Sequence, residues 1–196
     1  MDRESWDARY ETTDFVWTDR ANGFVERHLA DLPPGRALDL AAGEGRNSLW
    51  LAARGWAVTA VDFSSVGIDK GRRLATERGI DVEWVVADVT EYEPHRPFDL
   101  VLIAYLQLAL PSRTAVLRRA ATWVAPGGSL FVVAHDRSNV EHGHGGPPSI
   151  GVCYDLDETV AALNPLAADV AEVATRTVPT PDGDREALDT IVLARR

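Results

Sequence analysis

The 196-residue sequence is short of cysteine and of long apolar runs, and each shortage excludes a class of protein. Its one cysteine, Cys153, cannot form a disulfide within the chain, and the cytoplasm is the simplest compartment. No apolar run approaches the roughly 20 residues that a membrane-spanning helix needs. The charged start, MDRESWDARY, lacks the apolar region of a secretory signal. We therefore expect neither a membrane partner nor secretion.

Basic residues are also scarce relative to acidic ones. The chain has 20 Lys and Arg against 30 Asp and Glu, a net charge of −10. Because binding to duplex nucleic acid depends on cations that neutralise phosphates, we expect no nucleic-acid partner. The hydrophobic content of 45% and the length suit one globular domain with a full core. A small molecule is the expected partner, with the oligomeric state open between monomer and dimer.

Short apolar runs alternate with amphipathic segments along most of the chain. Five strands are predicted in ALDLAA, AVTAVDF, DVEWVVADV, FDLVLIAYL and SLFVVAHD, and two more flank the turn PDGD. Helices are predicted at 19–32, 46–55, 65–79, 112–123 and just after 157. Their N-terminal caps are predicted at Ser64 or Ser65, Ser112 and Asp157. The pattern predicts an α/β fold: one doubly wound, mostly parallel, Rossmann-like sheet of seven strands with an antiparallel C-terminal edge hairpin.

The stretch LDLAAGEGRN, which joins the first strand to a helix, is the main candidate for ligand binding. Gly43 and Gly45 permit a tight turn and a close backbone approach, and the helix that follows offers free N–H groups. Asp62 ends the second strand about 20 residues later, where a carboxylate typically accepts both hydroxyls of a ribose. These features predict a nucleoside ligand. The alternative is that Asp62 caps the next helix and the glycines only shape a turn.

Two nucleoside cofactors compete for this loop. A dinucleotide site favours G-x-G-x-x-G or G-x-G-x-x-A, and the run GEGRNS has Ser48 at the third position. Asp39 precedes the turn, where its charge would repel a pyrophosphate and attract an ammonium group. S-adenosylmethionine carries an ammonium, a sulfonium, a ribose and an adenine, and no phosphate. The acidic lining therefore favours S-adenosylmethionine over NAD.

These motifs together resemble the class I S-adenosylmethionine-dependent methyltransferases, over nearly the whole chain from WDARY to the C-terminal strands. The matching motifs are LDLAAGEGRN, VTAVDFS, VVADV, FDLVLIAYLQL and WVAPGGSLFVV. In the segment GEGRNSLWLA and in its small size, the chain resembles the tellurite-resistance methyltransferase group and small bacterial relatives. The family's loop is D/E-x-G-x-G-x-G, and here Ala41 replaces the first glycine, a change that should be tolerated if this position adopts a negative φ.

The resemblance implies a methionine end and a nucleoside end of the cofactor site. The methionine end would be formed by residues from the glycine loop and from the end of the fourth strand: Asp39, Ala41, Gly43, Gly45, Ala104 and Tyr105. At the nucleoside end, Asp62 would hold the ribose and Phe63 would pack beside the adenine. Asp88 would accept a hydrogen bond from the adenine amino group, with Val89 against the ring.

The acceptor half of the site has its own candidates. Residues 1–18 form an N-terminal arm that is either a lid over the cofactor or an amphipathic segment packed on the sheet. Substrate-pocket candidates from the arm and from the loops after the fourth and fifth strands are Trp6, Tyr10, Trp17, Gln107, His142 and His144. Tyr105 and His135 are candidate general bases. No metal site is expected, because HGHGG offers only two ligands and no cysteine partner.

The sequence therefore predicts a single-domain enzyme that transfers a methyl group from S-adenosylmethionine to a small acceptor and releases S-adenosylhomocysteine. The acceptor would be a thiol, a chalcogen oxyanion or a small oxygen or nitrogen nucleophile. The signature Asn-Pro-Pro-Tyr of base-amine methylation is replaced by AYLQL after the fourth strand. The alternatives are a non-catalytic S-adenosylmethionine sensor and an NAD-dependent oxidoreductase.

Overall fold

The computed structural model describes residues 3–11 and 15–196, and a seven-stranded sheet forms its centre. The strands are β1 (Arg36–Leu40), β2 (Ala57–Asp62), β3 (Glu83–Val86), β4 (Phe98–Ala104), β5 (Val124–His135), β6 (Ala167–Thr180) and β7 (Gly183–Arg195). Their order across the sheet is β3-β2-β1-β4-β5-β7-β6. Strands β1 to β5 are parallel, and β7 runs antiparallel to β5 and β6. The predicted fold class is confirmed, including the antiparallel C-terminal hairpin.

Helices cover both faces of the sheet. They are α1 (Arg3–Tyr10), α2 (Gly23–Leu29), α3 (Arg46–Ala53), α4 (Ser65–Arg78), α5 (Leu110–Thr122), α6 (Asn139–His142) and α7 (Leu156–Ala162), with a 3₁₀ turn at Ile150–Val152. Helices α2, α3 and α4 share one apolar cluster with Ala37 of β1, whereas α5 and α7 share the other with Leu38 and Leu40. Because successive strand residues point to opposite faces, the apolar run of β1 packs on both layers. Turns alone connect β3 to β4.

Three predicted helix starts are wrong, each for a local reason. Helix α2 begins at Gly23 because the side chain of Asn22 accepts from the amides of the next turn, so residues 19–22 are not helical. Helix α5 begins at Leu110, with Pro111 in its first turn, so Ser112 lies inside the helix. Asp155, rather than Asp157, caps α7 by accepting from the amide of Glu158 at 3.0 Å.

The predicted cap at Ser64 is confirmed. Its hydroxyl accepts from the amide of Gly67 at 3.0 Å, and Ser65 is the first residue of α4. The start of α4 is therefore fixed directly after β2, at the edge where the glycine loop follows β1. None of the helices in the described ranges is long and apolar enough to cross a membrane.

Candidate active site

The predicted cofactor residues lie around the crevice at the carboxyl edge of the parallel strands. The strand order reverses between β1 and β4, and ligands of doubly wound sheets bind at such a switch point. The glycine loop follows β1, Phe63 follows β2, Asp88 follows β3 and Tyr105 follows β4. The fold therefore brings the sequence-predicted cofactor residues to one edge.

The glycine loop turns through left-handed backbone at three positions. Ala41, Gly43 and Gly45 have φ values of +61°, +57° and +77°. The condition for tolerating Ala41, a negative φ, is therefore not met: the turn imposes a conformation that costs a residue with a Cβ roughly 1–2 kcal/mol. At Gly45 a side chain is also excluded by space, because a Cβ would lie 2.3 Å from the Trp84 ring.

Asp39 has a buried carboxyl group, and one of its two oxygens lacks a hydrogen-bond partner among the described residues. Its exposure is 1%, and Oδ2 accepts from the hydroxyl of Ser48 at 2.6 Å. Oδ1 has no hydrogen-bond partner within the described part of the chain. Burial raises the pKa of Asp39 to about 7, and the nearby Asp62 adds to the shift while Ser48 opposes it. A buried, unsatisfied acceptor of this kind is costly unless a donor completes it, and a ligand ammonium is such a donor.

Asp62 fastens the glycine loop to the start of α4. Its Oδ2 accepts from the amide of Gly43 and its Oδ1 from the amide of Ser64, both at 2.8 Å. Burial raises the pKa of Asp62, although both amides favour the charged form. The loop-shaping role that the sequence offered as an alternative is thus present in the structure. Each carboxylate oxygen can accept a further hydrogen bond, so this role leaves room for the predicted ribose contact.

The predicted adenine contacts follow β3 and β2. Oδ1 of Asp88 accepts from the amide and the hydroxyl of Thr90, at 2.8 and 2.7 Å. Val89 is buried, and Phe63 is half-buried beside Asp62. These positions form the β2–β3 side of the crevice. Whether they bind adenine stays a prediction.

The N-terminal arm covers the glycine loop. A hydrogen bond joins Ser64 to Asp7 of α1, and Tyr10 is buried so close to the loop that a Cβ on Gly43 would lie 2.6 Å from its hydroxyl. Trp6 stacks on Tyr10 with ring centroids 5.5 Å apart. Burial raises the pKa of Tyr10, with Asp62 adding to the shift. The arm therefore contacts the predicted cofactor loop; residues 1–2 and 12–14 lie outside the described part.

The last part of the N-terminal arm is held by the loop residue Glu44. Its carboxylate accepts from the amide of Val16 at 3.0 Å and from Nζ of Lys70 at 3.0 Å. Trp17 is 48% exposed, and the guanidinium of Arg9 lies 4.8 Å from its ring centroid. Tyr10 thus lies against the loop, with Trp6 stacked on it, and the partly exposed Trp17 is close enough to hydrogen-bond Tyr10.

A second polar cluster lies at the ends of β4 and β5, and it centres on Asp189. The Asp189 side chain is fully buried, and its Oδ2 accepts from the Tyr105 hydroxyl at 2.8 Å and from Nε of Arg176 at 2.6 Å. Nδ1 of His135 lies 3.3 Å from Oδ1 of Asp189. Nδ2 of Asn22 donates to the Tyr105 hydroxyl at 3.2 Å. Burial, and next the charge of Asp189, raise the pKa of Tyr105.

Both predicted base candidates belong to this cluster, but sequence reasoning missed three of its members. Asn22, Arg176 and Asp189 were not predicted, because the C-terminal strands were interpreted only as an edge hairpin. One signal was available: Asp189 interrupts the otherwise apolar run ALDTIVLA of β7. An acid inside a buried strand requires partners, and partners of this kind often form a site.

The other two histidine candidates, His142 and His144, lie outside the Asp189 cluster. The side chain of His142 is 70% exposed, and its Nε2 lies 3.8 Å from the carboxylate of Glu141. His144 is exposed, and its amide donates to the carbonyl of Glu186 at 2.9 Å. Gln107 is half-buried two residues after Tyr105. Over residues 3–11 and 15–196, no group of three or more metal-ligating side chains is present.

Known proteins match both the sequence and the fold. A family described as a methyltransferase domain matches residues 37–128. The ubiquinone biosynthesis O-methyltransferase of Xanthomonas euvesicatoria is 31% identical over 110 residues, which are 55% of this chain and 46% of that protein. Its namesake in Stutzerimonas stutzeri is 25% identical over 146 residues, 67% of this chain and 62% of that protein. The chain thus spans about half to three-fifths of the length of these curated relatives.

Two solved structures show the same fold at low sequence identity. TehB from Haemophilus influenzae superposes with a TM-score of 0.77 at 18% identity, covering 99% of this chain and 66% of TehB. The N-methyltransferase NodS from Bradyrhizobium japonicum, solved with S-adenosyl-L-homocysteine, gives a TM-score of 0.75 at 16% identity and covers 99% of this chain and 97% of NodS. The family match, the curated relatives and the shared fold agree with the motifs. Together they support the assignment of this chain as a class I S-adenosylmethionine-dependent methyltransferase, with S-adenosylmethionine as its cofactor.

Proposed function

We propose that this chain transfers the methyl group of S-adenosylmethionine to a small-molecule acceptor and releases S-adenosylhomocysteine. The observation that carries the proposal is the buried Oδ1 of Asp39, just before the glycine loop, which has no hydrogen-bond partner among the described residues. An apolar or phosphate-bearing ligand would leave this acceptor unsatisfied, whereas the cofactor's ammonium would complete it. The residues present therefore fit the cofactor.

The cofactor site that we propose keeps the predicted residues. Asp39 and the loop at 41–45 would hold the methionine end, together with Ala104 and Tyr105. Asp62 would accept from the ribose while it holds the amides of Gly43 and Ser64. Asp88, Phe63 and Val89 would surround the adenine. When bound, the cofactor supplies an electrophilic methyl group, so the protein's task is to orient an acceptor and exclude water.

The acceptor side of the proposed site lies between the arm and the loop at 137–151. The cofactor would occupy the β1–β3 side of the crevice, so an acceptor approaches from β4 and β5, where Tyr105, Gln107 and His135 lie. We propose that the arm, with Trp6, Tyr10 and Trp17, and the loop, with His142 and His144, act as lids on a single methyltransferase domain. Long loops at such an edge are more often functional than not.

Oxygen nucleophiles come first among the acceptor classes, which also include thiols, chalcogen oxyanions and small amines, because the curated relatives are named O-methyltransferases. The negative net charge supports a small molecule rather than nucleic acid as the partner. The single cysteine keeps the cytoplasm as the proposed compartment.

A tritiated-methyl transfer screen tests the proposal. Purified protein and methyl-labelled S-adenosylmethionine are incubated with phenols, carboxylates, thiols, chalcogen oxyanions and amines, and both labelled product and S-adenosylhomocysteine are quantified. We expect stoichiometric formation of both with at least one acceptor. Tight binding of S-adenosylmethionine without transfer to any class would instead establish a non-catalytic sensor. Preferential binding of NADH would establish an oxidoreductase.

A further inference from the structure

We propose that His135 and Asp189 form a general-base pair that removes the proton from an acceptor hydroxyl, so that the acceptor atom is oxygen. The inference rests on the proposed methyl transfer and assigns its acceptor class. It comes from a buried pair that the cofactor site does not use. His135 would be the catalytic residue, and Asp189 a positioning residue that acts through it.

Strand pairing places the two side chains together. His135 is the last residue of β5, and its partner in the antiparallel register with β7 is Asp189. Both side chains therefore project from the same face of the sheet, with Nδ1 of His135 3.3 Å from Oδ1 of Asp189. Neither atom has a hydrogen-bond partner among the described residues. A proton on Nδ1 would give both atoms a partner and would leave Nε2 as the free base.

Asp189 is itself held so that one oxygen stays directed at the imidazole. Its Oδ2 takes the Tyr105 hydroxyl and Nε of Arg176, at 2.8 and 2.6 Å. Oδ1 has no hydrogen-bond partner among the residues that the structure describes, which leaves it for the imidazole, whose Nδ1 is 3.3 Å away. Burying a carboxylate costs free energy. Apolar residues of similar size commonly stabilise a fold as well as a buried ion pair does, so stability alone does not account for the pair. The position of Asp189 inside the apolar run of β7 therefore favours a chemical role.

The pair lies where the acceptor must enter. The Tyr105 ring packs on the imidazole with centroids 4.8 Å apart, and Tyr105 follows the last residue of β4 at the switch point of the sheet. Among the described residues, the charged or titratable groups that face His135 are Asp189 from β7, Arg176 from β6 through Asp189, and Tyr105 from the end of β4. Arg46 of α3 acts on both Tyr105 and Arg176 through its charge. Asp136, the next residue, is engaged elsewhere, with Oδ2 accepting from the Thr190 hydroxyl at 2.6 Å.

The loop at 137–151 covers the imidazole. Gly146 has a φ of +82°, and a Cβ there would lie 2.9 Å from Nδ1 of His135. Only glycine allows the backbone to lie this close to the ring, and the His135 side chain is accordingly only 10% exposed. A base under a glycine-rich loop is shielded from water when the loop is closed and is reached by an acceptor when it opens.

The proton and the electrons balance in this step. The acceptor O–H proton passes to Nε2 while the oxygen attacks the methyl carbon. The methyl–sulfur bond breaks with its electron pair left on sulfur, so the leaving group is the neutral thioether S-adenosylhomocysteine. The imidazolium that forms faces the Asp189 carboxylate through Nδ1–H, and it returns the proton to water when the loop opens.

The test compares His135→Asn with a matched control, His95→Asn, on the hydroxyl acceptor found by the transfer screen. His95 is exposed and lies between β3 and β4, away from the cluster. We expect His135→Asn to lower kcat by about 100-fold or more, the ordinary contribution of a general base, and to abolish the acidic limb of the pH–kcat profile. Affinity for S-adenosylhomocysteine by calorimetry should stay within about twofold, and His95→Asn should behave as wild type.

Asp189→Asn tests the positioning role. We expect it to lower kcat and to displace the acidic limb, whereas a purely structural residue would change the melting temperature and leave the pH profile of the folded fraction in place. If this variant does not fold, the His135→Asn profile decides alone. A His135→Asn enzyme with unchanged kcat and an unchanged acidic limb would overturn the inference.

Failure of this inference is distinguishable from failure of the proposed function. If the wild type methylates only thiols, amines or oxyanions, the hydroxyl assignment is overturned while methyl transfer stands. If the wild type binds the cofactor and methylates nothing, the proposed function is refuted, and the base pair with it.

Discussion

Replacement of Asp39 by asparagine should weaken cofactor binding and at the same time stabilise the free protein. Asn has nearly the same shape as Asp and keeps a group that can hydrogen-bond Ser48, which now bonds Oδ2 at 2.6 Å. What it removes is the charge that would meet the ammonium. A hydrogen bond to a charged group contributes about 1.5–3 kcal/mol, so the Kd for S-adenosylhomocysteine should rise roughly 10- to 150-fold.

The stability effect has the opposite sign. Because the pKa of Asp39 is raised from 3.8 to about 7 by burial, the folded state binds more protons than the unfolded state between these values. Stability without ligand therefore falls as pH rises from about 4 to 7, by on the order of 4 kcal/mol in total. Asp39→Asn lacks this loss, so its melting temperature without cofactor should exceed that of wild type at pH 8 and not at pH 4.

Binding and proton release are linked by the same group. Below pH 7 the wild-type carboxyl is largely protonated without ligand, and the ammonium would drive it to ionise, so affinity should rise with pH up to about 7 and then level off. Calorimetry between pH 5.5 and 8.5, in two buffers of different ionisation enthalpy, measures the released proton. Asp99→Asn is the control, because Asp99 is partly exposed at the opposite edge of the sheet, where it holds the amide of Arg36. An Asp39→Asn protein with wild-type affinity and pH dependence would refute the reasoning.

Three further perturbations address the rest of the site. Asp62→Ala should lower S-adenosylmethionine affinity at least about tenfold and also lower the melting temperature, because the amides of Gly43 and Ser64 lose their acceptor; unchanged affinity in the folded variant would remove the ribose assignment. Asp88→Ala should weaken binding of S-adenosylmethionine, and the wild type should bind an inosine analogue poorly. If the wild type and the variant each bind the two nucleosides with equal affinity, Asp88 only shapes the turn with Thr90. Deleting 142–146 removes the cover from His135, so methyl transfer should collapse while S-adenosylhomocysteine affinity persists; surviving turnover would make the loop a connector.

The sheet could be predicted from the sequence because its information is local. Runs such as FDLVLIAYL are apolar on both faces, which is the pattern of a strand covered by helices on both sides, and the turn PDGD marks the hairpin of β6 and β7. Helix starts were less predictable. A serine such as Ser112 resembles a cap in the sequence, but Pro111 fits the first turn of α5 and moves the start upstream.

The cofactor side and the acceptor side of the site also differ in how far the sequence predicts them. The glycine loop, Asp62 and Asp88 form contiguous motifs after consecutive strands, so spacing along the chain was enough to group them. Asp189 and Arg176 reach Tyr105 only because β7 inserts between β5 and β6 in antiparallel register, 84 residues after Tyr105 in the case of Asp189. Such a contact depends on strand order, which periodicity does not encode. The φ of +61° at Ala41 was likewise inaccessible, because alanine is normally a right-handed residue.

One cation connects these two sides. Arg46 is half-buried and begins α3 directly after the glycine loop. Burial lowers the pKa of its guanidinium, and the charge of Arg176 lowers it further. Tyr105 and Asp39 oppose this shift. With Asp39 protonated, Arg46 adds uncompensated positive charge beside Arg176 and Tyr105. Because the ammonium that drives Asp39 to ionise also neutralises it, cofactor binding leaves the charge of Arg46 in place between the cofactor side and the acceptor side of the site.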